Sequence, residues 1–215
     1  MLKTLNGVSS IPKPVRFPAW TVEFDTDAAG GTLTSPGHGS GGCGESFWFY
    51  VPWGRRINCG MRGPDGKRFS RKLSALELVG PLICVSAGRE LCRLKPVRVW
   101  VDNAGSVNIF KKGYSTHCQL CNTLVSAIAR VAAALGCSFT IDKITRCSTT
   151  GAKLADFLSK GKFADFYDNW PPGCHRNTEP AWIPPAILAW IDNPQEDPAL
   201  GEKIIKDIQR LDGYI

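Results

Sequence analysis

The sequence predicts an α/β domain in which a mixed, five-stranded central sheet is flanked by helices, with a proline-rich helical tail after it. Short segments with strand-like patterns alternate with longer segments of helical spacing, which is typical of a layered α/β fold. Glycine and proline stand between these segments and mark the turns. A content of 43% hydrophobic and 21% charged residues is typical of a globular chain.

The first third of the chain predicts three strands. Its first strand alternates apolar and polar side chains, the pattern of a half-buried strand. Aromatic residues dominate the second strand, and the third is short. Stretches rich in proline, serine or glycine predict irregular structure. In order, we expect an arm over 1–18, strands over 20–26, 46–52 and 56–61, and a long mobile loop over 30–44.

The middle of the chain alternates helices with two further strands. Residues 70–93 predict a helix with a kink or break at Gly80 and Pro81, because proline removes an internal hydrogen bond. Gly113 and Gly136 are typical of residues that follow a helix end. We also expect a buried strand over 97–101, helices over 103–112 and 118–135, a fifth strand over 138–144 and a helix over 152–163.

Residues 164–215 form a proline-rich acidic tail that ends in an amphipathic helix near 198–211. The tail has a net charge of −5, so residues 1–163 have a net charge of +12. A body this basic favours a polyanionic partner, and nucleic acid is the commonest one. Two placements of the tail stay open, because it can cover the basic face or dock its apolar stripe against the body.

Nine cysteines predict reduced thiols rather than disulfides, since their number is odd and most lie in apolar segments. The alternative is a zinc site formed by His117, Cys118 and Cys121 together with Cys174 and His175, although this spacing matches no regular zinc motif. No apolar run is long enough to span a membrane, and the N-terminus lacks the apolar core of a secretory signal. We therefore expect an intracellular protein, cytoplasmic or nuclear, without membrane association.

Four carboxylates occupy distinctive positions in the predicted elements. Asp27 ends the first strand, Glu77 lies in the first long helix, Asp102 ends the fourth strand, and Asp156 begins the helix at 152–163. Together they would converge on one end of the sheet. Like charges this close raise one another's pKa, so such a cluster favours bound cations, and oxygen ligands suit Mg²⁺ or Mn²⁺. Asp25 competes with Asp27 for the first position because both lie on the same face of the strand.

The segments around these residues resemble the ribonuclease H domain of retroelement reverse transcriptases. TDAAG is similar to the family's opening TDAS, VRVWVDNAGSV to its buried strand that delivers an Asp, and GAKLADFLSKG to its closing (V/L)ADALSR element. The resemblance covers about residues 20–163. It implies an RNase H-like three-layer fold for a domain over 19–163, between the arm 1–18 and the tail 164–215.

The resemblance also implies an activity, which is hydrolysis of the RNA strand of RNA–DNA hybrids with two Mg²⁺ or Mn²⁺ ions. Asp27 and Asp102 would be shared metal ligands, Glu77 would bind one metal and orient the attacking water, and Asp156 would complete the second metal site. Two ions about 4 Å apart activate the water and stabilise the leaving 3′ oxygen. A reverse transcriptase polymerase domain is the partner that this family implies.

The chain departs from the family where many members have a mobile histidine, ten residues before the last Asp. That position is Arg146, which stays charged and therefore cannot shuttle a proton, although it could still bind phosphate. The basic segment over residues 55–72 predicts phosphate contacts beside the acidic site. The alternative interpretation of this segment is a solvated charged turn. Its candidate nucleic-acid ligands, beside Arg146, are Arg55, Arg56, Lys67, Arg68 and Arg71, with Trp53 as a candidate surface contact.

Two other functions stay open at this stage. Arg146 and the helix-breaking Gly80 and Pro81 favour a catalytically silent remnant that binds nucleic acid or protein. An integrase or transposase on the same fold is the other alternative, although those enzymes usually end their acidic set with a glutamate rather than an aspartate such as Asp156.

Overall fold

The structure is a computed structural model that describes residues 21–30, 37–44, 47–54, 57, 70–170 and 181–213. Side chains of residues 70–72 are not among those described. Its centre is a mixed five-stranded sheet, so the predicted α/β class with a flanked mixed sheet is confirmed. The strands are β1 (Val22–Ala29), β2 (His38–Cys43), β3 (Phe47–Pro52), β4 (Pro96–Val101) and β5 (Ser138–Lys143).

The order of strands in the sheet is β3-β2-β1-β4-β5. β1 pairs antiparallel with β2 on one side and parallel with β4 on the other. β4 in turn pairs parallel with β5. The carboxyl ends of β1, β4 and β5 therefore lie at one edge of the sheet, which is where side chains that follow these strands meet.

Helices cover both faces of the sheet. Two long helices pack against each other and, with the apolar side chains of β4, form the main core. A shorter helix lies across β1 and β2 on the opposite face, where Leu154, Leu158 and Phe166 form a second cluster. The helices are α1 (Ser70–Ala87), α2 (Arg89–Cys92), α3 (Ala104–Lys112), α4 (Gln119–Ala134), α5 (Thr150–Ser159), α6 (Phe163–Asp168), α7 (Pro185–Asp192) and α8 (Leu200–Leu211). The main core lies between one face of the sheet and the helices α1 and α4, and α5 covers the opposite face.

The predicted loop over 30–44 is wrong in its second half, because residues 38–43 form β2. Its glycines replace the alternation that sequence patterns detect, and they are needed for close packing. A Cβ on Gly39 would overlap the ring of Trp53, and one on Gly42 would overlap the ring of Trp48. Aromatic residues of the neighbouring segment fill the space that larger β2 side chains would take.

Two other expectations differ from the structure. The helix α1 runs unbroken through Gly80 and Pro81, and it ends before Gly88 instead. Tertiary packing outweighs the proline here, since Gly80 lies against the side chain of Thr26 where a Cβ would be crowded. Of the predicted strand over 56–61, only Ile57 is described, and it is helical rather than extended.

The tail docks its apolar side chains against the body. Ile187, Trp190 and Ile204 belong to the same core as the sheet, and α8 packs along α4. The backbone N–H of Asp197 donates to Thr123 on α4 at 3.2 Å, and Arg130 pairs with Glu202 at 2.8 Å. Of the two placements left open by the sequence, the described part of the tail adopts docking on α4.

Candidate metal centre

Three of the predicted carboxylates meet at the carboxyl edge of the sheet. Asp27 lies in the last part of β1, Asp102 directly follows β4, and Glu77 lies in the middle of α1. One oxygen of each lies within 4.8 Å of the others. Within the residues described, no other group of three such side chains is placed to hold a metal ion.

The fold explains why these residues meet. β1 and β4 are parallel, and Thr26 is paired with Val101, so the residues that follow them, Asp27 and Asp102, stand side by side. The chain turns at Asp102, and the side chain of Asn103 accepts a hydrogen bond from the backbone N–H of Ser106 at 3.1 Å. This cap starts α3 and fixes the direction in which the chain leaves β4.

Glu77 is the most deeply buried acid of the cluster, with 3% of its surface exposed. The backbone N–H of Ala28 donates to its carboxylate, but its Oε2 is buried and has no hydrogen-bond partner. Burial, and next the charges of Asp27 and Asp102, hold the pKa of Glu77 well above its ordinary value. A buried oxygen without a donor is costly unless a ligand satisfies it.

Asp27 is held by the neighbouring helix. The hydroxyl of Ser159, the last residue of α5, donates to Oδ2 of Asp27. Burial raises the pKa of Asp27, the hydrogen bond from Ser159 lowers it, and the net shift is upward. The negative charge of Asp102 adds to the upward shift and the positive charge of Arg146 opposes it. The hydrogen bond therefore fixes the orientation of the Asp27 carboxylate, but its surroundings still disfavour the ionised form.

Asp156 and two cations complete the cluster. Asp156 is buried, and Nζ of Lys160 lies 2.6 and 2.7 Å from its two oxygens. Arg146 links it to the other acids: its Nε lies 2.8 Å from Asp102 Oδ2 and 3.4 Å from Asp156 Oδ1, and its Nη2 lies 3.7 Å from Asp27 Oδ1. All four predicted acids thus belong to one connected group of charges.

Asp25 is not part of this cluster. It lies on the same face of β1 as Asp27, but its side chain points to the start of α5. A Cβ on Gly151 would overlap its carboxylate there. The hydroxyl of Thr149 is 3.5 Å from its Oδ1. Burial, and next the charge of Glu23, raises the pKa of Asp25 to about 6. Between the two aspartates, the geometry favours Asp27 as the residue that meets Glu77 and Asp102.

The predicted nucleic-acid ligands are described only in part. Arg146 lies on the carboxylates, as given above. Arg71 belongs to the first turn of α1, but its side chain is not described. Arg55, Arg56, Lys67 and Arg68 lie outside the described residues. Trp53 is not a surface contact: it is buried, and its indole N–H donates to the carbonyl of Ala29 at 3.1 Å.

An open cleft of about 520 Å³ is lined by residues of α1, α3 and the segment that follows α3, and none of the four carboxylates lines it. Asn103 lines it directly beside Asp102, and Ser74 lines it one helical turn before Glu77. Its other polar lining includes Asn108, Lys112, Thr116 and His117. The cleft thus combines hydrogen-bonding groups with the ammonium group of Lys112.

Within the described residues, His117, Cys118 and Cys121 of the zinc alternative do not form a group placed to hold a metal ion. Cys118 and Cys121 are hydrogen-bonded to each other, which is the largest cause of the raised pKa of Cys121. Cys174 and His175 lie outside the described residues. None of the cysteines that the structure describes forms a disulfide. No described helix has the length and apolar character needed to cross a membrane.

Sequence reasoning missed Ser159 and Lys160 as members of the site. Both lie in the segment GAKLADFLSKG that identified Asp156, three and four residues beyond it. The signal was the helical spacing, because residues three and four apart share one face of a helix. Comparisons of the chain with models of protein families, with curated proteins and with solved structures gave no match.

Proposed function

We propose that this chain is a metal-dependent endonuclease that hydrolyses the RNA strand of RNA–DNA hybrids, like the ribonuclease H domain of a retroelement reverse transcriptase. The observation that carries the proposal is the meeting of Asp27, Glu77 and Asp102 within 4.8 Å at the carboxyl edge of the sheet. An RNase H-like identity for the fold is part of the proposal. The strand order supports that identity, because β1 is central, β4 is its parallel neighbour, and β5 pairs parallel with β4.

The residues of the cluster fit divalent cations. Carboxylate oxygens are the hard ligands that Mg²⁺ and Mn²⁺ prefer. Glu77 Oε2 is buried and has no donor, so a cation at this position would satisfy it. Burial also raises the pKa of both Glu77 and Asp27, which means that ionising both without a compensating cation is unfavourable.

Each side chain has a distinct task in the proposed reaction. Asp27 and Asp102 would be shared ligands, Glu77 would complete one metal position, and Asp156 the other. Bound ions of this kind activate a water molecule and stabilise the charge on the leaving oxygen of a phosphodiester. The protein's own contribution is orientation, because Ser159 fixes Asp27 and the Ala28 N–H fixes Glu77.

The net charge of the body and the polar lining of the cleft support a nucleic-acid substrate. Residues 1–163 have a net charge of +12, which favours a polyanion. The cleft lined by Asn103, the residue after Asp102, offers amide and hydroxyl groups from Ser74, Asn103 and Asn108 and an ammonium from Lys112. Such groups suit phosphates and 2′-hydroxyls, the features by which proteins distinguish RNA-containing duplexes. Recognition would depend on duplex shape and hardly on sequence.

The experiment is a cleavage assay of the purified chain on labelled duplexes of one sequence: an RNA–DNA hybrid, double-stranded RNA and double-stranded DNA. Each is incubated with Mg²⁺, with Mn²⁺ and with a chelator. We expect cutting of the RNA strand of the hybrid alone, and no cutting with the chelator. Joining of labelled DNA ends to a target DNA would instead identify an integrase-type strand transferase.

A catalytically silent binding protein is the second candidate, and the position of Arg146 favours it. Its guanidinium contacts three of the four carboxylates that a nuclease would need for metal ions. In that case the chain would bind the hybrid in a salt-sensitive way and cut none of the three duplexes under any metal condition. The same assay, followed by a binding measurement at two salt concentrations, separates the two candidates.

A further inference from the structure

A single guanidinium occupies the centre of the acidic cluster. Arg146 lies within 4 Å of Asp102, Asp156 and Asp27, with the shortest distance, 2.8 Å, to Asp102. The guanidinium therefore supplies positive charge at the place where bound divalent ions would supply it.

Keeping the acids of the cluster ionised in the metal-free protein requires such a charge. Asp27, Glu77 and Asp156 are buried, and ionised carboxylates in close contact repel one another. Lys160 pairs with Asp156 from the end of α5, and Arg146 pairs with Asp102, Asp156 and Asp27. Glu77 Oε2 has no donor, so the compensation by side chains is incomplete. The two cations hold the acids together without satisfying all of them.

The side chain of Arg146 is also exposed enough to move away from the carboxylates into solvent. Its side chain is 54% exposed, whereas those of Asp27 and Asp156 are 6% and 8% exposed. It lies on the short connection between β5 and α5, where Ser148 N–H donates to the Thr145 carbonyl at 3.1 Å in a turn. Moving an exposed side chain into solvent empties no cavity, so its departure costs mainly its ion pairs.

We propose that Arg146 is a built-in counterion that competes with divalent cations for the carboxylates of the cluster. In the metal-free protein it holds Asp102, Asp156 and Asp27 together, and metal ions bind only as it leaves these oxygens. The inference rests on the proposed metal site and adds to it the control of metal occupancy. It also assigns Arg146 a task that differs from the family's histidine, namely raising the metal concentration at which the site fills.

The test is calorimetric titration of the full chain with Mn²⁺, alongside thermal unfolding with and without the metal. Arg146→Ala removes the competitor, and Arg146→Gln does so while keeping a long polar side chain in case the alanine variant folds poorly. We expect both to bind Mn²⁺ about tenfold more tightly than the unaltered chain, the order of effect of one partly exposed charge near several carboxylates. Their metal-free unfolding temperature should fall, and saturating Mn²⁺ should remove most of the difference.

Two controls separate charge from general damage. Arg146→Lys keeps the charge and should return the affinity towards that of the unaltered chain. Arg130→Ala removes an exposed ion pair with Glu202, away from the cluster, and should leave Mn²⁺ binding unchanged. Equal affinity of the Arg146 variants and the unaltered chain overturns the counterion inference alone. Absence of Mn²⁺ binding in every variant overturns the proposed metal site together with it.

Discussion

The hydroxyl of Ser159 donates a hydrogen bond to Oδ2 of Asp27, which joins the end of α5 to the end of the central strand. The two residues are 132 positions apart in the sequence. This contact ties the helix that carries Asp156 to the strand that carries Asp27, the proposed first metal ligand. The geometry of the cluster therefore depends on how α5 is seated on the sheet.

Loss of this hydrogen bond should weaken metal binding most at low pH. In Ser159→Ala the pKa of Asp27 rises further, because the hydrogen bond that lowers it is gone. A metal ion must then displace a proton from Asp27. We expect the loss of Mn²⁺ affinity to be about three- to tenfold at the lower of two pH values, the equivalent of roughly 1 kcal/mol for one charge-assisted hydrogen bond, and smaller at the higher one.

The measurement is titration calorimetry at the two pH values. Ser86→Ala is the matched control, since the Ser86 hydroxyl is also buried and donates within α1, to the Leu82 carbonyl at 2.6 Å. It should change metal affinity at neither pH. An equal loss at both pH values in Ser159→Ala would mean that the hydroxyl acts by packing and not through the charge of Asp27.

Replacing Asp25 should stabilise the protein without ending its proposed activity. The folded-state pKa of Asp25 is about 6, above its ordinary value of 3.8. Folding therefore favours the protonated form, so the stability that this group contributes at low pH is lost as the pH rises from about 4 to 6. Asp25→Asn removes that loss. We expect a gain of about 1 kcal/mol at pH 8, after discounting for solvent screening, and almost none at pH 4.

Urea unfolding at pH 4 and pH 8 measures this difference, and the hybrid assay measures activity. Asp27→Asn is the comparison, because it should abolish metal-dependent cleavage while Asp25→Asn retains it. The reverse result would identify Asp25 as the first metal ligand and would contradict the assignment of Asp27.

Adding one methyl group to the middle of β2 should destabilise the sheet. A Cβ on Gly41 would lie 2.7 Å from Thr26 Cγ2, 2.8 Å from the Asp25 carbonyl oxygen and 2.8 Å from Phe49 Cε1. Because one of these atoms is backbone, β1 and β2 would have to separate. We expect Gly41→Ala to lower the free energy of unfolding by about 2–3 kcal/mol, as overpacked cores do.

Chemical denaturation measures this loss of stability. Lys143→Ala, at the exposed end of β5, is the control for an alanine substitution in a strand, and it should change stability by less than about 1 kcal/mol. A Gly41→Ala protein as stable as the unaltered chain would mean that β2 does not pack against β1 in the way described.

Much of the site was predictable because its residues belong to short, ordered motifs. Asp27, Glu77 and Asp102 end or interrupt apolar segments, and parallel strands bring such positions to one edge of a sheet. The contacts of Arg146 were not predictable, since a charged residue in a polar connection has no periodic signal. Its ion pairs depend on the turn between β5 and α5, which only the folded chain defines.

The fold was predictable where burial leaves a pattern. Helix α4 has its expected bounds within one residue at each end because its apolar side chains repeat at helical spacing. Strand β2 was missed because a run of glycines has no alternation to detect, and the reason for the glycines lies in Trp48 and Trp53 on a different segment. The unbroken α1 was missed for a related reason, since its contact with β1 outweighs the local preference of Pro81.

In the proposed reaction, the cluster of Asp27, Glu77 and Asp102 holds the ions that drive cleavage of the RNA strand. The most direct measurement is the rate of hybrid cleavage by Asp102→Asn in Mg²⁺. Asp142→Asn is its matched control, because Asp142 is an aspartate of the neighbouring strand β5 that pairs with Lys111 outside the cluster. We predict that Asp102→Asn lowers the rate by about a thousandfold or more, the effect of losing several kcal/mol of transition-state stabilisation. Asp142→Asn should cut at nearly the unaltered rate. An undiminished rate in Asp102→Asn would mean that the cluster does not hold the ions that drive cleavage.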